Sequence, residues 1–259
     1  MTKNSPIGIF DSGIGGLSIY KQIKKMLPNE NTVYLADNLN APYGKKSKEQ
    51  IIQFSLKNTK KLIDLNCKLI VVACNTATTN AITVLRNRFD IPIVGVEPSV
   101  KPAIANTKTK NIGILATEKT LTSNLFQQTS NKFSGEVTIH EQIGYELVSI
   151  IEESGVDERL LKDKVKNYIE PMINKNIDTL VLGCTHYYFL MNILKKILPE
   201  NIKILDSSVA VSKRVKQVLE ENKIISETLG SENKFYCNGD KVVIKEFLVQ
   251  KEKISKIDF

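Results

Sequence analysis

Two apolar runs, each stopping at a cysteine, constrain this chain more than anything else in it. The first is Leu69-Ile70-Val71-Val72-Ala73-Cys74-Asn75-Thr76, and the second is Thr179-Leu180-Val181-Leu182-Gly183-Cys184-Thr185-His186. A short continuous apolar run reads as a buried strand. Each run ends at a thiol followed by small polar residues, where a helix can begin. The two cysteines lie 110 residues apart, and their flanks also match. Ile63-Asp64-Leu65-Asn66 stands before the first run as Ile173-Asn174-Lys175-Asn176 stands before the second.

The same pattern extends to other strands. Pro6-Ile7-Gly8-Ile9-Phe10 is echoed 105 residues later by Asn111-Ile112-Gly113-Ile114-Leu115. Val33 to Asp37 is echoed 104 residues later by Val137 to Glu141, and Ile91 to Val96 is echoed 111 residues later from Ile202. Four strands in one order at a nearly constant offset predict an internal duplication. The expected fold is α/β, with two pseudo-symmetric lobes, each a mainly parallel sheet flanked by helices. The first lobe covers 1–97 and the second 98–208, with 209–259 packing back onto the first. Helices are predicted over Leu17–Leu27, Ser47–Leu65, Asn80–Phe89 and Val209–Glu221, with a last strand and turn over Phe235–Asp240. In parallel sheets a ligand sits off the C-terminal ends of the strands. Those ends carry Asp11-Ser12, Asp37 and Cys74-Asn75-Thr76 in one lobe, and Thr117 and Cys184-Thr185-His186 in the other.

Other sequence features narrow the function. Asp11-Ser12-Gly13-Ile14-Gly15-Gly16 follows the first strand, and its glycines suit a tight turn and a close backbone approach to a ligand. Its spacing is not that of a dinucleotide fingerprint. Asp11 and Ser12 serve equally well as helix caps on this evidence. Four cysteines without a CxxC pair, and only two histidines (His140 and His186), give neither a disulfide framework nor a zinc site. The net charge of +8 comes from lysines scattered along the chain, with no basic run interleaved with aromatics. That pattern reads as a lysine-rich solvated surface rather than a nucleic-acid site, and its positive field would also favour a small anionic substrate. No membrane span and no secretory leader is visible, so a reducing cytoplasm is the expected location.

A thiolate at a helix N-terminus is stabilised by the backbone dipoles, and the same amides suit a substrate carboxylate. Asn75, Thr76 and Thr185 would add side-chain donors. Two acid/base groups on opposite sides of one carbon can invert its configuration, one removing a proton while the other delivers one, without a cofactor. Nucleophilic catalysis would need only one of the cysteines. Two inert core cysteines are the plain alternative for this pair. Cys67, in a helix-to-strand connection, and Cys237, in the tail, are read as inert.

Four motifs then stand together: Ile9-Phe10-Asp11-Ser12-Gly13-Ile14-Gly15-Gly16, Ala41-Pro42-Tyr43-Gly44, Ala73-Cys74-Asn75-Thr76-Ala77 and Gly183-Cys184-Thr185-His186-Tyr187. In this order they closely resemble the aspartate/glutamate racemase superfamily, and within it the glutamate-specific branch. The resemblance implies a cofactor-independent interconversion of L- and D-glutamate that supplies D-glutamate for peptidoglycan, with no metal and with a homodimer as the assembly. It implies that Cys74 acts on the D-enantiomer with support from Asp11, and Cys184 on the L-enantiomer with support from His186. It further implies substrate contacts at Ser12, Pro42, Tyr43, Gly44, Asn75, Thr76, Thr185 and His186. Supporting roles fall to Asp37 and Glu152, with Glu153 as the alternative register and an ordinary surface helix as the plain one. The chain departs from the pattern at Tyr188-Phe189, where relatives carry proline, and at Gln142–Glu146, which lacks a proline-rich form. An aspartate racemase, a thiol redox protein and a silent acidic-amino-acid binder are the competing readings.

Overall fold

The computed structural model describes residues 2–133, 135–240, 242–248 and 253–259. Its strands are β1 (Ile7–Asp11), β2 (Thr32–Ala36), β3 (Leu69–Val72), β4 (Ile93–Gly95), β5 (Asn111–Ala116), β6 (Thr138–Ile143), β7 (Thr179–Gly183), β8 (Lys203–Leu205), β9 (Asn233–Cys237) and β10 (Ile254–Lys256). They form two sheets, ordered β10-β9-β2-β1-β3-β4 and β6-β5-β7-β8, and every pairing is parallel. Strands β1, β2, β3 and β7 are buried along their whole length, which is why they read as unbroken apolar runs rather than alternating ones.

The order β2-β1-β3-β4 repeats as β6-β5-β7-β8, and most of the register repeats with it. Ile7 lies opposite Leu69, and Ile112 opposite Thr179. Ile70 lies opposite Ile93, and Leu180 opposite Ile204. The helices before the two cysteine strands, Lys48–Asp64 and Glu158–Ile173, also end alike. In both, an asparagine takes the left-handed conformation, Asn66 at φ 61° and Asn176 at φ 57°. Each donates its backbone N–H to the residue three earlier, Ile63 and Ile173. The exception is β6. Gly8 lies opposite Val33, but Gly113 lies opposite His140, so β6 is shifted three residues from the predicted echo. It is a partly exposed edge strand, and with little buried pattern to specify it the sequence match slipped.

After the second sheet the chain returns to the first. Helix Ser208–Glu221 lies against helix Leu17–Met26, and β9 pairs with β2. A continuous core runs from Ile7, Ile9 and Leu17 of the first lobe to Leu147, Ile151, Leu182 and Tyr187 of the second. At the N-terminal edge of the first sheet, Lys68 and Glu30 form an ion pair at 2.6 Å, both almost wholly buried. Lys68 also donates to the Lys3 carbonyl, and Glu30 accepts from the Ser226 amide at 2.7 Å. This cluster ties both ends of the chain to the base of the sheet. Among the described residues no helix is long and apolar enough to cross a membrane.

Candidate active site

The C-terminal ends of β1 and β3 meet those of β5 and β7 in one buried cleft. Cys74 leaves β3 and caps helix Asn75–Arg88, its sulfur accepting the Ala77 N–H at 3.5 Å. This helix begins five residues before the predicted Asn80. Threonines are weak helix formers in isolation, but here their hydroxyls bond nearby carbonyls, Thr79 to Asn75 at 3.0 Å and Thr78 to Val72 at 3.1 Å. The Cys74 thiol donates to Ser12 Oγ at 3.7 Å, and Ser12 donates to Asp11 Oδ1 at 3.1 Å. Asp11 also accepts the Gly13 N–H at 2.8 Å, and on its other oxygen the Thr185 hydroxyl at 2.9 Å from the opposite lobe. Neither Asp11 nor Ser12 caps a helix, because Leu17–Met26 starts behind Gly16 without any side-chain cap.

Charge in this half of the cleft is costly. Burial pushes the Asp11 carboxyl up, against the pull of His186 and the Gly13 N–H. Burial, and after it the Asp11 carboxylate, pushes the Cys74 thiol well above its ordinary value, against the Ala77 N–H. The expectation that the helix N-terminus would lower this thiol is therefore corrected. Desolvation and a neighbouring carboxylate outweigh the dipole.

The Cys184 half is built differently. Thr185–Leu190 is a 3-10 helix, not the start of an α-helix, and Cys184 makes no cap. Three successive side chains there have separate partners: Thr185 reaches Asp11, His186 the cysteine and Glu152, and Tyr187 the Gly144 carbonyl at 3.0 Å. His186 Nδ1 lies 3.8 Å from the Cys184 sulfur, and its Nε2 meets Glu152 Oε1 in a short contact. Burial works against charge on His186, but hydrogen bonds to Cys184 and Glu152, and their charges, hold it well above the usual imidazole range. Glu152 comes from helix Leu147–Ser154 and also accepts the Ile14 N–H at 2.8 Å. Glu153 is exposed, so Glu152 is the carboxylate that turns inward.

Gly13 and Gly15 of the 11–16 turn are explained by this crossing. A Cβ on Gly13 would strike the Glu152 carboxylate, and one on Gly15 would lie 2.6 Å from the Thr185 hydroxyl. In this structure what approaches the turn so closely is the opposite lobe.

Asp37, at the end of β2, accepts from Asn40 at 2.7 Å, Asn238 at 2.5 Å, Asn58 at 3.3 Å and, in a short contact, the Tyr43 hydroxyl. It thereby anchors the Pro42-Tyr43-Gly44 loop, and Gly44 packs toward Thr117, which a Cβ would approach to 3.2 Å. Asn58 and Asn238 were not singled out from the sequence. The one signal was a polar residue on the apolar face of a long helix. Thr76, Thr117 and Thr120 join their hydroxyls across the cleft, at 2.9 Å for Thr76–Thr117 and for Thr117–Thr120. Thr120 too escaped the sequence reading, since an ordinary helix-start threonine looks no different. Asn75 turns its amide toward the Val96 carbonyl at 3.5 Å. A groove of about 90 Å³, lined in part by Pro42, Gly44, Thr117, Gly144, Val148 and Ser149, opens beside the threonines.

Cys67 is buried against Gly8, with its thiol pushed up to about 12 by burial, and the Cys237 thiol donates to the Gly239 carbonyl at 3.8 Å. None of the four cysteines forms a disulfide. Among the described residues no three His, Cys, Asp or Glu side chains are grouped to hold a metal ion.

Residues 7–214 match the model of the Asp/Glu/hydantoin racemase family. A glutamate racemase of Ralstonia pickettii is 42% identical over 215 residues, spanning 83% of this chain and 76% of its own. The crystal structure of a glutamate racemase isoform from Bacillus anthracis superposes with a TM-score of 0.90 at 30% identity, covering 99% of this chain and 98% of that one. That of the Francisella tularensis glutamate racemase in complex with D-glutamate gives 0.85 at 32% identity, with the same coverage.

Proposed function

This chain belongs to the Asp/Glu/hydantoin racemase family, and from that footing we propose that it interconverts L- and D-glutamate without a cofactor, through two cysteine bases. Cys184 removes the α-proton of L-glutamate and Cys74 then supplies one to the opposite face, and the roles exchange for D-glutamate. The observation that carries this reading is the pair of thiols at matching strand ends of two repeated sheets, each with its own acid/base neighbour in one cleft. His186, held by Glu152, keeps a proton beside Cys184. The Asp11 carboxylate works against charge on Cys74. A substrate ammonium placed between Asp11 and the two thiols offsets their repulsion and lowers the cost of charging Cys74. Ser12, Asn75, Thr76, Thr185 and His186, with the Pro42-Tyr43-Gly44 loop, are the proposed substrate contacts, and Asp37 positions that loop.

The lobes 1–97 with 209–259, and 98–208, are the proposed units between which the cleft opens. A homodimer and a cytoplasmic location accord with the family resemblance and with a role in supplying D-glutamate to peptidoglycan. Incubation with L-glutamate in deuterium oxide, without added cofactor, tests the function. The optical rotation should fall to zero as deuterium replaces the α-proton, and D-glutamate should behave alike. Aspartate, run in parallel, should be inert. Exchange on aspartate alone would move the assignment to an aspartate racemase, and exchange on neither amino acid would refute it.

A further inference from the structure

We propose that Tyr34 is a positioning residue for the Cys184 half of the reaction: through the Gly13–Ile14 peptide, its hydroxyl holds Glu152 in place behind His186. This rests on the assignment of Cys184 as the base for L-glutamate.

Tyr34 lies in β2 with its side chain wholly buried. Its ring packs against Tyr20, centroids 6.5 Å apart, and Phe235 at 6.2 Å. Its hydroxyl donates to the Gly13 carbonyl at 2.9 Å. The N–H of that same peptide unit, on Ile14, donates to Glu152 Oε1 at 2.8 Å. A peptide unit is planar, with its C=O and N–H pointing opposite ways, so anchoring the oxygen aims the N–H. A donor on the carbonyl also polarises the unit and strengthens the N–H as a donor. The oxygen that accepts it is the one facing His186 Nε2, and His186 Nδ1 faces the Cys184 sulfur at 3.8 Å. The chain of contacts therefore runs from Tyr34 through the Gly13–Ile14 peptide to Glu152, His186 and Cys184.

The anchor is needed because residue 13 is glycine. A glycine peptide turns at little cost, and no side chain fits there because a Cβ would strike Glu152. Burial, and after it the charges of Asp11 and Glu152, raises the Tyr34 hydroxyl well above its usual ionisation, so it remains a donor. The Cys74 half depends on it less. Asp11 is held by the Ser12 and Thr185 hydroxyls and by the Gly13 N–H, which belongs to the preceding peptide unit.

The test is Tyr34→Phe in the full chain, which keeps the ring and removes the donor. L- and D-glutamate are equally stable in water, so kcat/KM falls equally in both directions, by about tenfold for one lost buried hydrogen bond with its misplaced partner. KM should barely move. The sidedness is read from deuterium isotope effects on kcat/KM with α-deuterated L- or D-glutamate. Slowing the Cys184 step makes proton removal from L-glutamate more fully rate-limiting. The isotope effect with the L-substrate should then rise while that with the D-substrate falls. Phe235→Leu, a lesion in the same aromatic cluster that leaves the hydroxyl, should lower the melting temperature and move neither isotope effect. If Tyr34→Phe moves neither isotope effect in a chain whose parent racemises glutamate, this proposal fails alone. A parent chain that does not racemise glutamate overturns the functional reading and this proposal with it.

Discussion

His186 is where the chemistry of the site is most exposed to measurement. Its protonated form is stabilised in the folded chain by hydrogen bonds to Cys184 and Glu152, against the cost of burial. A group whose folded value is raised contributes stability below its unfolded value, near pH 6.5 for histidine, and loses it as pH rises through the folded value. The melting temperature should therefore decline as pH is raised above about 6.5, and His186→Asn should flatten that decline. An unchanged slope in the variant would show that the imidazole carries no extra proton. Glu152→Gln keeps the shape but removes the charge behind His186, and should lower kcat by about 10- to 100-fold with KM little affected. Steady-state kinetics checks this, and a fall confined to KM would contradict it.

At the scale of elements, most of the fold was legible. Buried strands declare themselves as apolar runs, and the two cysteine runs, with Asn66 and Asn176 ahead of them, mark the repeat in the sequence. What escaped was set by contacts the sequence does not write down. The helix after Cys74 starts early because the Cys74 sulfur caps it by accepting the Ala77 N–H, whereas Cys184 makes no cap and a 3-10 turn follows it. Glu152 could be placed but not separated from Glu153, since only packing against Ile14 decides which one turns inward. Asn58, Asn238 and Thr120 matter through neighbours distant in sequence. The base of the first sheet offers a test at this scale. Lys68→Met strands the Glu30 carboxylate in a buried setting and should cost about 3–5 kcal/mol in chemical denaturation. The double variant with Glu30→Leu should recover much of that loss. If Lys68→Met alone is neutral, the pair does not hold the sheet.

For the whole molecule, the duplication and the chemistry explain one another. A racemase must treat two mirror-image substrates nearly alike, and two copies of one strand-ending-in-thiol unit facing across a cleft offer that symmetry. The two copies differ in what surrounds each thiol: a helix N-terminus, Ser12 and Asp11 at Cys74, an imidazole and a carboxylate at Cys184. The glycines of the 11–16 turn let the lobes close on each other, so residues of one lobe support the thiol of the other. The measurement that most directly tests this arrangement is racemisation of glutamate by Cys74→Ser and by Cys184→Ser, with Cys67→Ser and Cys237→Ser as controls. The account predicts that either of the first two abolishes racemisation in both directions, because a serine hydroxyl is far too weak an acid to serve as the base, while the controls stay near the parent rate. Full racemisation by a chain lacking Cys74 or Cys184 would contradict it.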